Sequence, residues 1–194
     1  MDQTAFQRQT PAEYVDLEEN SESKYEFFDG ELFAVAGGTL EHSLIAGNLI
    51  GELRSALAAR GCYVFTSDLR LKVEATGLLT HPDVTVLCGA PLRDSGFLLN
   101  PTLIAEVLSK STEGYDRGAK FDHYRTIRSL QTYLLVSEDA PRVEQYVRKT
   151  DSEWDYSVVH GINSELDLPS LRITLLLREI FLGIIFSQPR LRDT

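Results

Sequence analysis

The segment from Leu103 to Leu108 places the strongest constraint on the fold. It reads Leu-Ile-Ala-Glu-Val-Leu, so its only polar residue is Glu106. A short, continuous apolar run is typical of a strand covered on both faces of a sheet. A carboxylate in such a strand is costly to bury unless a cation, hydrogen bonds or a raised pKa compensates for it. The segment therefore predicts either a buried strand with a compensated Glu106, or an edge strand whose Glu106 points to solvent.

The other segments alternate between helical and strand patterns. Ile45, Leu49, Leu53 and Leu57 predict a long amphipathic helix, because residues four apart share one helix face. Asp29-Gly30 between two aromatic-rich runs predicts a tight hairpin. We predict helices over 11–20, 40–60, 113–127 and 173–186, and strands within 25–35 (the hairpin), 63–66, 69–74, 83–88, 102–108, 132–137, 142–148 and 154–160. This order is typical of an α/β (α+β) protein with a mixed sheet flanked by helices.

Length and composition predict one domain in a reducing cytoplasm. The 194 residues suit a single domain over 1–194, with an ordered core over about 10–186 and a loose polar stretch over 187–194. The first residues, Met-Asp-Gln-Thr, do not resemble a signal peptide, and the apolar stretch 180–186 is too short to span a bilayer. Cys62 and Cys88 lack a CxxC partner, which predicts two reduced, partly buried thiols.

The net charge of −10 disfavours a protein that binds nucleic acid over its whole surface. Proteins that bind nucleic acids usually carry a basic patch that neutralises phosphates. A carboxylate metal site would itself add negative charge, and a basic stripe can be local. The charge therefore excludes tight, passive DNA binding but leaves open a metal-dependent reaction on DNA.

Three residues could form a site for a hard cation. Asp83 stands at the start of an apolar strand, and a second carboxylate, Glu106, on a neighbouring strand would make an oxygen-rich site suited to Mg²⁺. Lys120 follows in the next helix, where it could point back over the strand ends and offset phosphate charge. Each residue also has a structural interpretation: Asp83 could cap a turn, and Lys120 could form a surface ion pair with Asp116, four residues earlier.

Other polar residues carry weaker signals. Glu26 precedes the hairpin turn, His42 lies in the first turn of the long helix, and Asp68 lies between two strands. Taken singly, their positions favour structural roles: a solvated strand face, a polar residue at a helix start and a loop cap, respectively. The sequence contains no nucleophilic serine or cysteine motif and no glycine-rich phosphate loop. His81 and His123 do not have the spacing of zinc ligands.

Several stretches between residues 25 and 146 match one family in order. They are Tyr25-Glu26, Asp29-Gly30, Glu41-His42-Ser43, Asp68-Leu69-Arg70, His81-Pro82-Asp83-Val84, 100–109, Ser111-Thr112, 116–121, Tyr124 and 131–136. In these stretches the chain resembles the Uma-type restriction endonucleases, a bacterial family abundant in cyanobacteria. That family belongs to the wider PD-(D/E)XK nuclease superfamily.

The resemblance implies a restriction-endonuclease-like fold and a metal-dependent endodeoxyribonuclease. It assigns Asp83 and Glu106, together with the backbone carbonyl of Val107, to Mg²⁺ (or Mn²⁺). The superfamily usually has a lysine two residues after the glutamate, but this chain has Leu108 there, and the lysine role then passes to Lys120. Glu26 resembles an additional N-terminal carboxylate of such sites, while Asp68 and His42 are weaker candidates.

Three functions follow from the resemblance and the residues. The first is Mg²⁺-dependent hydrolysis of DNA phosphodiester bonds by a cytoplasmic homodimer, the dimer being expected by analogy with nucleases of this architecture. The second is a catalytically silent nuclease-fold protein that binds a protein or nucleic-acid partner, which the negative charge and Leu108 favour. The third is metal-dependent hydrolysis of another phosphate substrate.

Overall fold

The structure is a computed structural model that describes residues 8–35 and 38–186. The stretch 187–194, predicted to be loose, lies outside the described residues. The elements are α1 (Pro11–Asn20), β1 (Tyr25–Phe28), β2 (Glu31–Ala34), α2 (Leu40–Leu57), β3 (Cys62–Thr66), β4 (Leu71–Val73), β5 (Leu78–Thr80), β6 (Val84–Cys88), β7 (Arg93–Asp94), β8 (Phe97–Leu98), β9 (Leu103–Leu108), α3 (Glu113–Arg117), α4 (Ala119–Tyr124), β10 (Thr132–Ser137), β11 (Arg142–Arg148), β12 (Trp154–His160), β13 (Glu165–Leu168), β14 (Ile173–Leu176) and α5 (Leu177–Ile180).

The main sheet has six strands in the order β12-β11-β10-β9-β6-β3. Strands β9 and β10 are parallel, while the other neighbours are antiparallel. Helix α2 packs on one face through its four-residue apolar stripe, and α4 packs on the other face. All six residues of β9 are buried in the middle of this sheet. Glu106 therefore lies on a central strand, and the edge-strand alternative is wrong.

A second sheet has the order β2-β1-β5-β4-β8-β7. The hairpin of β1 and β2 forms as predicted, since Asp29 and Gly30 have φ values of 47° and 84°, the left-handed conformation of a type I′ turn. Strand β5, which the patterns did not predict, pairs with β1 at Phe27 and Leu79. Strand β1 is therefore covered on both edges, which buries the middle of the hairpin.

The helix predicted over 113–127 is divided into α3 and α4 at Gly118. Gly118 has φ −108° and ψ −105°, which is not helical, and helix propensity is lowest at glycine apart from proline. The break changes the direction of the chain between the two short helices. It leaves Lys120 in the first turn of α4.

The closing helix predicted over 173–186 is wrong for most of its length. Residues 173–176 form β14, which pairs antiparallel with β13, and only Leu177–Ile180 is helical. In β14, Ile173 and Leu175 are buried while Thr174 is exposed, so burial alternates with the period of a strand. Gly183, with φ 82°, then turns the chain beside α2.

The prediction of two reduced thiols is also wrong. Cys62 and Cys88 face each other across β3 and β6 and form a disulfide, with their Cα atoms 4.1 Å apart. The pairing depends on the register of two strands that are 26 residues apart, which the sequence pattern does not reveal. No helix in the described part of the chain is long and apolar enough to cross a membrane. The predicted class, a mixed sheet flanked by helices, is confirmed.

Candidate active site

Lys120 lies at the centre of a buried cluster of carboxylates. Its Nζ is 2.9 Å from Oε1 of Glu26, 3.0 Å from Oε1 of Glu106 and 3.6 Å from Oδ1 of Asp116. Only 7% of the residue is exposed, because α4 turns this side chain inward onto the sheet. The alternative of a solvated pair with Asp116 is therefore wrong. Instead, the ammonium joins side chains from three separate elements.

Glu106 is held by hydrogen bonds to both of its carboxylate oxygens. The hydroxyl of Tyr124 donates to Oε1 at 2.9 Å, and the backbone N–H of Asp83 donates to Oε2 at 3.1 Å. Tyr124 lies one turn after Lys120, so a single face of α4 supplies both a cation and a donor to the same glutamate. The side chain of Glu106 is thus fixed within an apolar strand that would otherwise not tolerate it.

Asp83 lies opposite Glu106, at the point where β6 begins beside β9. The backbone N–H of Val107 donates to Oδ2 of Asp83 at 2.8 Å, while the N–H of Asp83 donates to Glu106. The two carboxylates are therefore linked by reciprocal bonds between neighbouring strands. About a fifth of the Asp83 side chain is exposed, so this residue faces the open side of the cluster.

Glu26 enters the cluster from the second sheet. Its Oε1 accepts a hydrogen bond from the buried hydroxyl of Thr80, at the end of β5, and also contacts Lys120. Because β5 covers β1, Glu26 is only 7% exposed. The interpretation of Glu26 as a solvated residue of the hairpin is wrong for this reason.

His42, a weaker candidate in the sequence, contacts the cluster from α2. Its Nε2 lies 3.2 Å from Oδ2 of Asp83, and this hydrogen bond raises the pKa of His42 against the opposing effect of burial. Asp68, the other weak candidate, lies elsewhere. It is largely exposed and pairs with Lys24 at 2.6 Å.

Carboxylates outnumber cations in this cluster, and the electrostatics reflect this excess. Burial raises the pKa of Glu106; Lys120 lowers it, and the nearby carboxylates of Asp83, Asp116 and Glu26 raise it further. Burial lowers the pKa of Lys120, but the surrounding carboxylates outweigh burial and raise it well above its ordinary value. Burial also raises the pKa of Asp116. Lys120 is therefore firmly protonated, and its one positive charge does not balance the carboxylates around it.

The cluster also contains Asp116, Tyr124 and Thr80, which were not predicted from the sequence as site residues. Asp116 and Tyr124 stand four residues before and after Lys120, and this spacing was a usable signal because such residues share a helix face. Thr80 gave no signal, since β5 was not predicted. Within residues 8–35 and 38–186, no three histidine, cysteine or acidic side chains form a ready-made metal cage. His81 instead shares a hydrogen bond with the carboxylate of Glu18.

The comparison with protein families assigns this chain to one family. A model of the Uma2 family, described as "Putative restriction endonuclease", matches residues 11–178. That range includes every residue of the cluster, and the chain belongs to the Uma2 family. The family suggested by the sequence motifs is thereby confirmed.

Two cyanobacterial proteins are similar to this chain over most of its length. The chain is 36% identical over 182 residues to the uncharacterized protein slr1290 of Synechocystis sp., covering 93% of this chain and 95% of that protein. It is 37% identical over 167 residues to the uncharacterized protein sll1609 of the same organism, covering 84% and 94%.

A solved structure shares the fold. The crystal structure of "a putative nuclease belonging to DUF820" from Anabaena variabilis superposes with a TM-score of 0.70, covering 89% of this chain and 99% of that chain at 18% identity. At this identity the likeness concerns the fold alone. The restriction-endonuclease-like architecture expected from the resemblance is confirmed.

Proposed function

We propose that this protein is a divalent-metal-dependent endonuclease that hydrolyses phosphodiester bonds of DNA. The observation that carries the proposal is the convergence of Lys120 with Glu106 and Glu26, and the direct link from Glu106 to Asp83. A lysine next to two or more carboxylates is an arrangement suited to a bound cation and a phosphate. The family match supports the same reaction class.

The residues present fit a hard cation. Asp83 and Glu106 offer carboxylate oxygens, as Mg²⁺ and Mn²⁺ prefer, and in the described part of the chain no donor bonds Oδ1 of Asp83. The surplus of carboxylates over Lys120 also favours a further cation. Asp83 and Glu106 would hold it, together with the carbonyl of Val107. When bound, such an ion lowers the pKa of a coordinated water and stabilises charge on a phosphate.

The side chains of the chain itself would position the reaction. The Lys120 ammonium would orient the attacking water or offset the negative charge that develops on the phosphate. Glu26 and Asp116 would hold Lys120 at that place. Lys120 would thereby take the role of the lysine that the superfamily carries at the position of Leu108. Tyr124 would keep the Glu106 carboxylate turned toward Asp83. No covalent enzyme intermediate is required.

The remaining properties follow from this function. We expect one functional domain, DNA as the substrate, a homodimer by analogy with nucleases that cut both strands, and a cytoplasmic location. Because the chain carries a net charge of −10, DNA binding should depend on the cation more than on a broad basic surface.

A catalytically silent member of the fold is the second candidate. The observation that favours it is that Lys120 is engaged with Glu26 and Glu106 at ion-pair distances, so the cluster partly satisfies itself without a substrate. Such a protein would keep the fold and bind a protein or nucleic-acid partner.

Cleavage assays separate the two candidates. Wild type and Asp83→Asn should be incubated with supercoiled plasmid and single-stranded DNA in Mg²⁺ or Mn²⁺, with EDTA as a control. We expect cleavage by wild type alone, lost in EDTA. Equal cleavage by both proteins would contradict the site, and no cleavage by either, with DNA or partner binding retained, would support the silent candidate. Cleavage of another phosphodiester but not of DNA would point to a different phosphate substrate.

A further inference from the structure

His42 lies at the edge of the candidate site, and the mechanism above gives it no task. It is in the first turn of α2, on the opposite side of β6 from α4. Its Nε2 is 3.2 Å from Oδ2 of Asp83, and both side chains are about one-fifth exposed. A carboxylate oxygen only accepts hydrogen bonds, so Nε2 must carry the proton that is shared with Asp83.

Two donors hold the same oxygen of Asp83. The backbone N–H of Val107 reaches Oδ2 at 2.8 Å, and the Nε2–H of His42 reaches it from another direction. A single donor would leave the carboxylate able to rotate, whereas two donors on one oxygen fix its plane. The other oxygen, Oδ1, then points in one defined direction.

The imidazole ring is itself held in place. The backbone N–H of His42 donates to the hydroxyl of Thr39, which caps α2 and in turn donates to Glu138, so the stretch of backbone that carries the ring is fixed. The ring itself is confined by Gly38, since a Cβ added there would stand 2.6 Å from Nδ1 and 2.9 Å from Cγ of His42. The backbone of Gly38 thus packs against the ring so closely that no side chain fits there without moving it.

We propose that His42 is a positioning residue that orients Asp83 for the cation. Outer side chains that hydrogen-bond a metal-ligating carboxylate typically contribute 10–100-fold to metal affinity. The inference rests on the proposed function, because it assumes that Asp83 holds the ion. It adds a residue from a further element, α2, to the strands and the two short helices that build the site.

The first test compares Mn²⁺ binding by calorimetry in wild type, His42→Leu and His42→Gln. His42→Leu keeps much of the volume but cannot donate, so we expect affinity to fall about 10–100-fold. His42→Gln restores an N–H near the position of Nε2 and should recover most of the affinity. His160→Leu is the matched control, since His160 is exposed on β12, four strands from β6, and should bind Mn²⁺ like wild type.

The second test keeps His42 in the sequence but displaces its ring. Gly38→Ala puts a methyl group against the ring, which must then shift from the position in which it bonds Asp83. We expect Mn²⁺ affinity to fall in Gly38→Ala as in His42→Leu, while Gly51→Ala, at an open position of α2, leaves it unchanged. This pair keeps the inference testable even where His42→Leu lowers the yield of folded protein.

The outcomes separate this inference from the proposed function. Wild type that binds Mn²⁺ and cleaves DNA, with His42→Leu and Gly38→Ala binding equally well, would overturn the role of His42 and leave the nuclease intact. Wild type that binds no Mn²⁺ would overturn both. Equal loss in His42→Leu and His42→Gln, accompanied by an equal loss of thermal stability without metal, would show that His42 only supports the fold.

Discussion

Two buried glutamates occupy the same row of the main sheet and have opposite surroundings. Glu106 on β9 and Glu144 on β11 both pair with Leu135 of β10, one on either side. Directly paired residues project from the same face of a sheet, so the two side chains stand about 10 Å apart on one surface. They are 3% and 2% exposed. The two side chains are therefore matched in row and in solvent exposure, while their neighbouring charges differ.

Glu144 is satisfied by cations. Its Oε1 accepts from Arg117 at 2.9 Å and Arg142 at 2.6 Å, and Tyr156 donates to Oε2. Burial alone would raise the pKa of Glu144, but these hydrogen bonds and charges outweigh burial and lower it. This is a structural ion-pair cluster in which positive charge matches or exceeds negative charge.

Glu106 has the opposite balance. It shares a single lysine with Glu26 and Asp116, and its pKa is raised by burial and by those carboxylates. Strongly perturbed groups of this kind concentrate at functional sites, where stability is given up for chemistry. Burial alone therefore does not distinguish a glutamate of the candidate site from a structural one; the shortage of cations around Glu106 does.

Removing Lys120 should have the largest effect on stability. Lys120→Met leaves buried carboxylates without their only ammonium, and breaking a buried ion pair costs about 3–5 kcal/mol. Urea unfolding of the metal-free protein measures this loss. Lys110→Met, at an exposed lysine, is the control and should change little. Equal stability of Lys120→Met and wild type would mean that the carboxylates are not held by this lysine.

Glu144→Gln should have the next largest effect. It keeps the shape but removes the charge that binds two arginines, so we expect the free energy of unfolding to fall by about 1.5–3 kcal/mol. DNA cleavage should be close to wild type, because this cluster is outside the candidate site. A strong loss of cleavage with unchanged stability would reverse the roles assigned to the two glutamates.

The contribution of Glu144 should depend on pH in one direction. Its folded pKa is lowered below the ordinary value of 4.5, so the stability it provides is fully present above that value and is lost as the pH falls through the folded pKa. The stability difference between wild type and Glu144→Gln should be constant from about pH 7 down to about pH 5 and shrink in stronger acid. Urea unfolding across this range checks it; a difference that grows in acid contradicts the assignment.

Glu26→Gln should have the smallest effect on stability and is the counterpart of Glu144→Gln. The amide oxygen can keep the bonds from Thr80 and Lys120, while one of several mutually repelling charges is removed. We expect the free energy of unfolding to lie between no change and a gain of about 1 kcal/mol, which is roughly 2–4 °C in Tm. Cleavage should nevertheless fall. A loss of stability as large as that in Glu144→Gln would contradict the surplus of negative charge.

The sequence predicted the parts of the site that depend on single elements. The apolar runs predicted the strand of Glu106 and placed Asp83 at the start of another strand, the position of Lys120 in the next helix offered a cation, and the family motifs supported these residues and Glu26. What it did not predict depends on contacts between distant elements. The burial of Glu26 requires β5, a three-residue strand with no clear pattern, and the disulfide requires the register of β3 with β6.

The wrong closing helix has a related cause. Residues 173–186 are mostly apolar, with few polar residues among them. Such a stretch does not distinguish a helix from a buried strand. Pairing with β13 decided the outcome for Ile173–Leu176, since alternate side chains then enter the core. Local preference was overridden by a tertiary contact, as is common for short strands.

The metal site around Glu106 is tested most directly by calorimetric measurement of Mn²⁺ binding to wild type, Glu106→Gln and Glu144→Gln. The two variants make the same isosteric change in the same row of the same sheet, on either side of Leu135. We expect Glu144→Gln to bind Mn²⁺ as wild type does and Glu106→Gln to lose binding. Equal binding by both variants would contradict the claim that the cluster around Glu106 and Lys120 is a metal-dependent site.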